Sequence, residues 1–386
     1  MHWFYDTRRQ VIFISILYLA VSAFQYRQYG VKVVNDSARY IEYATGLHQT
    51  LYFDPHNFWY IGYALYIFGV QLVGGSAEII VAGQYTLGLL AVIALFFTSL
   101  TVWNNNLAAV FTAVAFIFFI DIGQWHSYVL AESIYTSFLC FSLFLLSKLY
   151  GGRKSTVWHI LTALVVLYTA FMKPTGIALP GALLFVVLHY APGRLKSRLL
   201  RNSIRVAATL IFLLLVNRML TTYLVMENYR LGEVIYAIRL LPSTPGYETM
   251  IITPPVVPYV PPPGMPPLLK IVSFILHHPL YWMQLFFTKV FFLLAHVRPY
   301  WSVTHNLYAT LLLLPAYFLF VKGIRSEKLN PASVFALAYV AIQIFGVGIT
   351  SEDWDGRFLA PILPVVFLYS GKGFASYFRK RVRPMV

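Results

Sequence analysis

The chain has 386 residues, of which 59% are apolar or aromatic and 11% are charged, and its mean hydropathy is +0.68. Soluble globular proteins carry about 25% charged residues, so this composition excludes a soluble enzyme, a disordered chain and a disulfide-stabilised scaffold. Cys140 is the single cysteine, which rules out an intrachain disulfide and a cysteine-based metal cluster. A polytopic membrane protein remains, because several apolar stretches approach the ~20 residues that span a bilayer.

Apolar stretches along the chain predict an all-α membrane protein with about ten transmembrane helices. The first stretch is expected to stay in the protein as a span, because it is long for a signal peptide and no small-residue cleavage site follows it. The predicted spans are 10–30, 79–102, 107–120, 129–149, 157–172, 177–190, 204–225, 307–321, 332–349 and 358–371.

Two further apolar segments, 58–73 and 280–297, are ambiguous because glycines interrupt the first and Lys289 lies in the middle of the second. Lys and Arg concentrate on cytoplasmic loops, and five basic blocks share one side only if neither segment crosses. We therefore predict two re-entrant or interfacial helices, with both termini cytoplasmic. The basic blocks are Arg8 and Arg9; Lys148, Arg153 and Lys154; Arg194, Lys196, Arg198, Arg201 and Arg205; Lys322, Arg325 and Lys328; and Lys372, Arg379, Lys380, Arg381 and Arg383.

The net charge of +15 is explained by this topology. The predicted cytoplasmic side carries the basic blocks and the acids Asp6 and Glu327, whereas the opposite side is close to neutral. Such a distribution favours contact with anionic membrane lipids and argues against nucleic acid as a partner.

We expect one membrane-embedded domain over residues 1–386, with two long outer loops. The first, 31–75, carries interfacial helices, and the second, 226–303, is proline-rich and contains the re-entrant or interfacial helix. Ten prolines between positions 242 and 267 favour extended or polyproline II backbone. This loop could act as a lid over the outer face or as a loose linker.

Two carboxylates on the predicted outer face are candidates for chemistry, because ionisable groups at the membrane boundary are costly unless they are paired or face water. Asp36 follows the first span, where it could equally be the N-cap of a short helix. Glu132 lies in the first turn of an apolar helix, where the helix dipole alone could explain it. Partial desolvation at that position demands a partner for the carboxylate.

Two cations lie on the same predicted face. Lys173 opens the tight turn Lys173-Pro174-Thr175-Gly176 between the fifth and sixth spans. Arg357 precedes the last span, and a guanidinium suits a phosphate because it binds two oxygens at once. Both side chains could instead extend along the helix ends toward water.

In order along the chain, these four features resemble the GT-C superfamily. The features are an Asp in the first outer loop, a Glu opening a span after a short aromatic turn, a basic-Pro-Thr-Gly turn, and Arg357-Phe358-x-x-Pro361-x-x-Pro364 at the last span. Members are integral-membrane glycosyltransferases that use polyprenyl-phosphate sugars, including protein mannosyltransferases and lipid A aminoarabinose transferases. The resemblance covers the first half of the chain and the last span, and it implies interfacial helices at 58–73.

The resemblance implies inverting transfer of a sugar, with Asp36 as the base and Glu132 either orienting the acceptor or sharing a bound divalent cation. Arg357 and Lys173 are expected to bind the donor phosphate. No resident cofactor is expected with certainty, and a role for a divalent cation, Mg²⁺ or Mn²⁺, stays open. Expected substrate contacts on the same face are Tyr40, His56 and Asp355.

The implied partners are a polyprenyl-phosphate sugar donor, membrane lipids, and a lipid, glycan or protein acceptor. We expect a bacterial inner membrane, with the active face toward the periplasm or cell exterior. The alternative is a multi-span transporter or flippase for a lipid or glycan, which would place its substrate site near the bilayer midplane between internal repeats.

Overall fold

A computed structural model describes residues 6–50, 57–152, 155–190, 197–326 and 330–379, which form helices and turns without a β-strand. The predicted all-helical class is therefore confirmed for these residues. His56 and several residues of the basic blocks lie outside them. The first eight helices are α1 (Thr7–Tyr29), α2 (Asn35–Gln49), α3 (Ile61–Leu72), α4 (Ala77–Trp103), α5 (Asn106–Phe118), α6 (Ile120–Gly123), α7 (Ala131–Tyr150) and α8 (Thr156–Ala170). The others are α9 (Ala178–Tyr190), α10 (Arg198–Leu220), α11 (Val225–Leu231), α12 (Pro267–His277), α13 (Pro279–Ala295), α14 (Val303–Arg325), α15 (Pro331–Ile349) and α16 (Leu363–Arg379).

Six described helices are long and apolar enough to cross a membrane: α1, α4, α7, α10, α14 and α15. A seventh span results if α5 and the turns that follow it, which bend by 64°, count as one. The other predicted spans contain α8, α9 and α16, of 15, 13 and 17 residues. At 1.5 Å per residue these helices are about 20–26 Å long, less than the ~30 Å hydrocarbon core. The chain is thus a polytopic helical protein, and the count of ten stays a prediction.

The chain divides into two compact units. The first comprises Met1–Gly176, Leu314–Ala336 and Ala360–Val386, and the second comprises Ile177–Leu313 and Leu337–Leu359. The first unit is built on α4, which packs against α5 and α7, and on α16, which packs along α5.

Close helix contact in the first unit depends on two glycines. A Cβ on Gly373 of α16 would lie 2.0 Å from the Leu319 carbonyl oxygen, and one on Gly323 of α14 would lie 2.1 Å from the Tyr369 carbonyl oxygen. Small residues let helix backbones approach closely inside membranes, where packing drives association. The α14–α16 crossing therefore excludes any larger side chain at either position.

The last helix begins later than predicted, at Leu363 instead of residue 358. Pro361 disfavours helical backbone at the residue before it, whereas Pro364 is tolerated because the first helical turn needs no N–H donor. As a correction, Arg357 lies six residues before the helix and not at its mouth.

In the second unit, part of the proline-rich loop pairs with the segment after α15. The backbone N–H of Tyr236 donates to the Glu352 carbonyl at 2.9 Å, and the Glu352 N–H donates to the Val234 carbonyl at 3.1 Å. The Val234 N–H in turn donates to Met250 at 3.1 Å. These bonds fix the backbone at Glu352, five residues before Arg357.

Candidate functional site

Helix α2 positions the carboxylate of Asp36. The helix begins at Asn35, and the Ser37 hydroxyl accepts the N–H of Val34 at 2.9 Å, so Asp36 lies in the first turn and is not the N-cap. Its Oδ1 is 3.5 Å from Nη2 of Arg39, one turn later, and the two side chains are 38% and 30% exposed. Asp36 is therefore paired yet accessible.

Tyr40 is the buried centre of this region. The Arg39 guanidinium lies 5.0 Å from the ring centroid of Tyr40 and 4.9 Å from that of Tyr60, and its Nη2 donates to the Tyr40 hydroxyl at 3.2 Å. The Tyr40 ring meets that of Tyr63 edge-on at 5.3 Å, and the Tyr63 hydroxyl donates to Gln84 at 2.8 Å. These contacts fix Tyr40 of α2 against α3, and Tyr63 links α3 to α4.

Glu132 lies in the first turn of α7, as predicted, and the partner that its burial demands is Lys173. Lys173 Nζ donates to Glu132 Oε1 at 2.9 Å, and the side chains are 3% and 4% exposed. Lys173 therefore does not extend toward water. The turn after Lys173 leaves no room for a side chain at Gly176, because a Cβ there would lie 2.4 Å from the Ala170 carbonyl oxygen.

Electrostatics join these groups. Burial raises the pKa of Tyr40 well above its usual value, and the Tyr60 hydroxyl and the carboxylates of Glu132 and Asp36 raise it further, whereas Arg39 opposes them. The carboxylates of Glu132 and Asp36 thus both favour the neutral form of the Tyr40 hydroxyl. We call Asp36, Arg39, Tyr40, Glu132 and Lys173 the Tyr40 cluster.

A cleft of about 360 Å³ opens beside Arg39. Its walls offer a guanidinium, a carboxylate, amides and a hydroxyl, which together suit a hydroxylated or anionic ligand. Arg39 was missed by sequence reasoning, although its spacing of three residues from Asp36 on one helix face is a usable signal. The lining residues are Arg39, Glu42, Tyr43, Gly46, Gln49, Thr50 and Asn57.

In the second unit, Arg357 is held by Asp353. Its Nη2 donates to Asp353 Oδ2 at 2.9 Å, and its side chain stays partly exposed. Asp355 is exposed, and its backbone N–H donates to the other Asp353 oxygen at 3.3 Å. Asp353 thus organises both predicted residues of this loop.

A fully buried pair lies behind this loop. Arg298 Nη2 donates to Glu352 Oε1 at 2.7 Å and to the Asp353 carbonyl at 3.1 Å, and both charged side chains are 0% exposed. Arg298 Nη1 donates to the carbonyls of Phe292 and Val297 at 2.8 and 3.0 Å. Arg298 was not predicted from the sequence, because the burial of Glu352, which requires a cation, is visible only in the structure.

Within that pair, the carboxyl group of Glu352 is incompletely hydrogen-bonded. Its Oε2 is buried without a hydrogen-bond partner among the described residues. Burial raises the pKa of Glu352 from 4.5 to about 7, although Arg298 opposes the change. The carboxyl therefore titrates near neutral pH.

The predicted residues are thus distributed over both units. Asp36, Tyr40, Glu132 and Lys173 belong to one cluster in the first unit, Arg357 and Asp355 belong to the second, and His56 lies outside the described residues. A comparison with protein-family models finds no match, and a comparison with curated proteins finds no similar chain.

Proposed function

We propose that the chain is a GT-C-like integral-membrane glycosyltransferase with about ten spans. It transfers a sugar, with inversion, from a polyprenyl-phosphate donor to a hydroxyl of a lipid, glycan or protein. The proposed site is on the periplasmic or extracellular face of a bacterial inner membrane, with both termini cytoplasmic. The proposal is supported chiefly by the accessible Asp36–Arg39 pair, 3.5 Å apart, whose Arg39 lines a polar cleft of about 360 Å³.

The proposed reaction is a single displacement. The acceptor oxygen attacks the anomeric carbon, the bond from that carbon to the phosphate oxygen breaks, and polyprenyl phosphate leaves with the electron pair. Asp36 takes the proton from the acceptor hydroxyl, a contribution that is typically about 10²–10⁴-fold in rate. Its partial exposure supports this role, because an acceptor can reach the carboxylate.

Cations stabilise the charge that grows on the departing phosphate. Arg39 supports this role because its guanidinium lines the cleft, and it adds a phosphate ligand to those predicted from the sequence. Lys173 is buried against Glu132, so in the proposal it also positions that carboxylate beside Tyr40. Arg357 is ion-paired with Asp353 in the second unit, and its role as a phosphate ligand stays a prediction from the sequence.

A divalent cation, if the reaction uses one, prefers carboxylate and phosphate oxygens. In the Tyr40 cluster, the exposed carboxylate available for this purpose is that of Asp36. Loss of transfer on adding EDTA, with recovery on adding Mg²⁺ or Mn²⁺, would establish the requirement. Full activity in EDTA would exclude it.

The test is transfer of radiolabelled sugar by the purified full chain in liposomes containing polyprenyl-phosphate sugars and candidate acceptors. We expect a covalent product of inverted anomeric configuration. A product of retained configuration would contradict the single displacement. Absence of product with every carrier and acceptor would contradict the function.

Transport is the second candidate, and one observation favours it. The helix that begins as α5 bends by 64° before continuing to Ser127, and broken helices of this kind are common in transporters. Counterflow of labelled substrate in proteoliposomes without a covalent product would support transport. Product formation without counterflow would support the transferase.

A further inference from the structure

Helix α10 gives the second unit a lipid-facing surface. It is a candidate span of 23 residues, and none of its most apolar window is buried. Leu210, Ile211 and Leu214 are among its exposed side chains. Exposed leucines and isoleucines on a spanning helix contact lipid tails, so α10 marks the bilayer next to this unit.

Helix α12 begins at the end of α10. The backbone N–H of Leu268 in the first turn of α12 donates at 3.1 Å to Oδ1 of Asn217 in the last turn of α10. Since α10 ends there, α12 starts at the level where the span leaves the hydrocarbon core. Its 11 residues reach about 17 Å, too short to cross.

The two faces of α12 differ in exposure. Ile271 and Phe274 are buried in the unit, whereas Leu269, Val272 and Leu276 are exposed along the opposite face. A helix that buries one apolar face in protein and exposes another at the edge of a span suits the membrane interface. The lipid-facing surface of α10 therefore continues onto α12.

Tyr259 ties the proline-rich loop to α12. Its ring stacks on His277 with centroids 3.7 Å apart and planes 7° apart. Its hydroxyl accepts from Ser273 at 2.8 Å, and its backbone N–H donates to His278 Nε2 at 2.9 Å. Three separate contacts thus fix this loop against the interfacial helix.

The fixed loop presents an apolar tip. Val256 is 100% exposed and Val257 is 80% exposed, and Val260 is exposed beside them. Residues 249–269 contain no Asp, Glu, Lys or Arg. The stretch is therefore uncharged, and the boundary between lipid head groups and acyl chains next to α10 and α12 accepts apolar side chains.

We propose that the tip formed by Val256, Val257 and Val260 inserts into the membrane boundary, with Tyr259 and α12 setting its depth. The occupant of this apolar surface is lipid of the bilayer in which α10 lies. The loop is then an interfacial anchor and not a mobile lid. This inference is independent of the proposed glycosyl transfer.

The test places an environment-sensitive fluorophore on single cysteines in a Cys140→Ala background, with the full chain in nanodiscs. Labels at Val257→Cys are compared with Leu276→Cys on the exposed face of α12 and with Ser243→Cys, an exposed polar position earlier in the same loop. Quenching by spin-labelled lipid is measured beside quenching by aqueous iodide.

We expect the Val257 label, like the Leu276 label, to emit at shorter wavelength and to be quenched by spin-labelled lipid. The Ser243 label should be quenched by iodide. If the Val257 label is quenched by iodide and not by lipid, the anchor is wrong. The anchor is likewise wrong if the Leu276 label is quenched by iodide and not by lipid, because α12 would then not lie at the interface.

A second pair of variants tests the role of Tyr259. Tyr259→Ala removes the ring that stacks on His277, so lipid quenching of the Val257 label should fall. Tyr259→Phe keeps the stack and loses the hydroxyl, so quenching should remain close to that of the parent. Lipid quenching in Tyr259→Ala as strong as in the parent would show that Tyr259 does not set the depth of the tip.

Discussion

Each unit buries a carboxylate against a cation, but the two cations are held differently. Lys173 donates to Glu132 and lies 5.8 Å from the ring centroid of Tyr135, in a cluster that adjoins an open cleft. Arg298 donates to Glu352 and also to three backbone carbonyls, those of Phe292, Val297 and Asp353.

The Lys173–Glu132 pair belongs to the proposed site, whereas the Arg298–Glu352 pair stabilises the loop after α15. Arg298 links the end of α13 to residues 352 and 353, so its removal affects backbone as well as charge. Lys173 donates to the side chain of Glu132, which in the proposed reaction orients the acceptor. We therefore expect the second pair to matter chiefly for stability and the first chiefly for activity.

The largest effect on stability is expected for Glu352→Ala. It leaves the Arg298 charge buried without its carboxylate, which typically costs about 3–5 kcal/mol. Thermal unfolding in detergent measures the change. The control is Glu227→Gln, an exposed acid of the same unit, which should stay within about 0.5 kcal/mol of the parent. Equal stability of both variants would remove the loop-holding role.

Replacing both members of each pair removes the buried charges together. Lys173→Met with Glu132→Gln should unfold within about 1 kcal/mol of the parent, because apolar or neutral replacements of a buried pair are often tolerated. Arg298→Met with Glu352→Gln should remain destabilised by about 2–4 kcal/mol, because three carbonyls lose their donor.

Transfer activity should give the opposite order. The first double variant should be folded but slow in transfer, whereas the second should keep measurable transfer at temperatures where it is folded. If the first double variant unfolds as readily as the second, the distinction between the two pairs is wrong.

The pH dependence of stability is a smaller effect and belongs to the second pair. The folded pKa of Glu352 is raised from 4.5 to about 7, so the folded protein binds this proton more tightly than the unfolded chain. Its contribution is complete below the unfolded pKa and is lost as pH rises through the folded one. Between about pH 5 and pH 8, the free energy of unfolding should therefore fall more steeply for the parent than for Glu352→Gln. Parallel curves would contradict this assignment.

The smallest effect is expected at Arg39. Arg39→Lys keeps the charge but loses the fork that binds two phosphate oxygens, so KM for the donor should rise about tenfold or more. Arg230→Lys, an exposed position on α11, is the matched control and should leave KM unchanged. An unchanged KM in Arg39→Lys would remove Arg39 from the phosphate site.

Local features could be predicted from the sequence. Hydropathy indicated every long apolar helix, and the placement of Glu132 in a first turn followed from the apolar run behind it. That the Glu132 carboxylate needs a cation or a hydrogen-bond donor was also predictable, because its position in an apolar helix desolvates it. The identity of that partner was not, because Lys173 is 41 positions away and the helix packing between them decides the contact.

Features set by backbone detail or long-range packing were missed. Arg357 was expected at the start of the last helix, but Pro361 disfavours helical backbone before it and the helix starts only at Leu363. Arg298 stands between an apolar helix and Pro299, a context that gives no sign of a fully buried ion pair. Arg39 was visible in the sequence, but its value depends on a cleft that exists only in the folded chain.

In the proposed mechanism Asp36 takes the proton of the acceptor during sugar transfer, so single-turnover transfer should slow in Asp36→Asn. The comparison uses the parent and Glu78→Gln, an exposed carboxylate in the first turn of α4. We predict that Asp36→Asn unfolds like the parent and binds the polyprenyl-phosphate donor, yet transfers about 10²–10⁴-fold more slowly, while Glu78→Gln transfers normally. Transfer by Asp36→Asn at the parental rate would contradict the account.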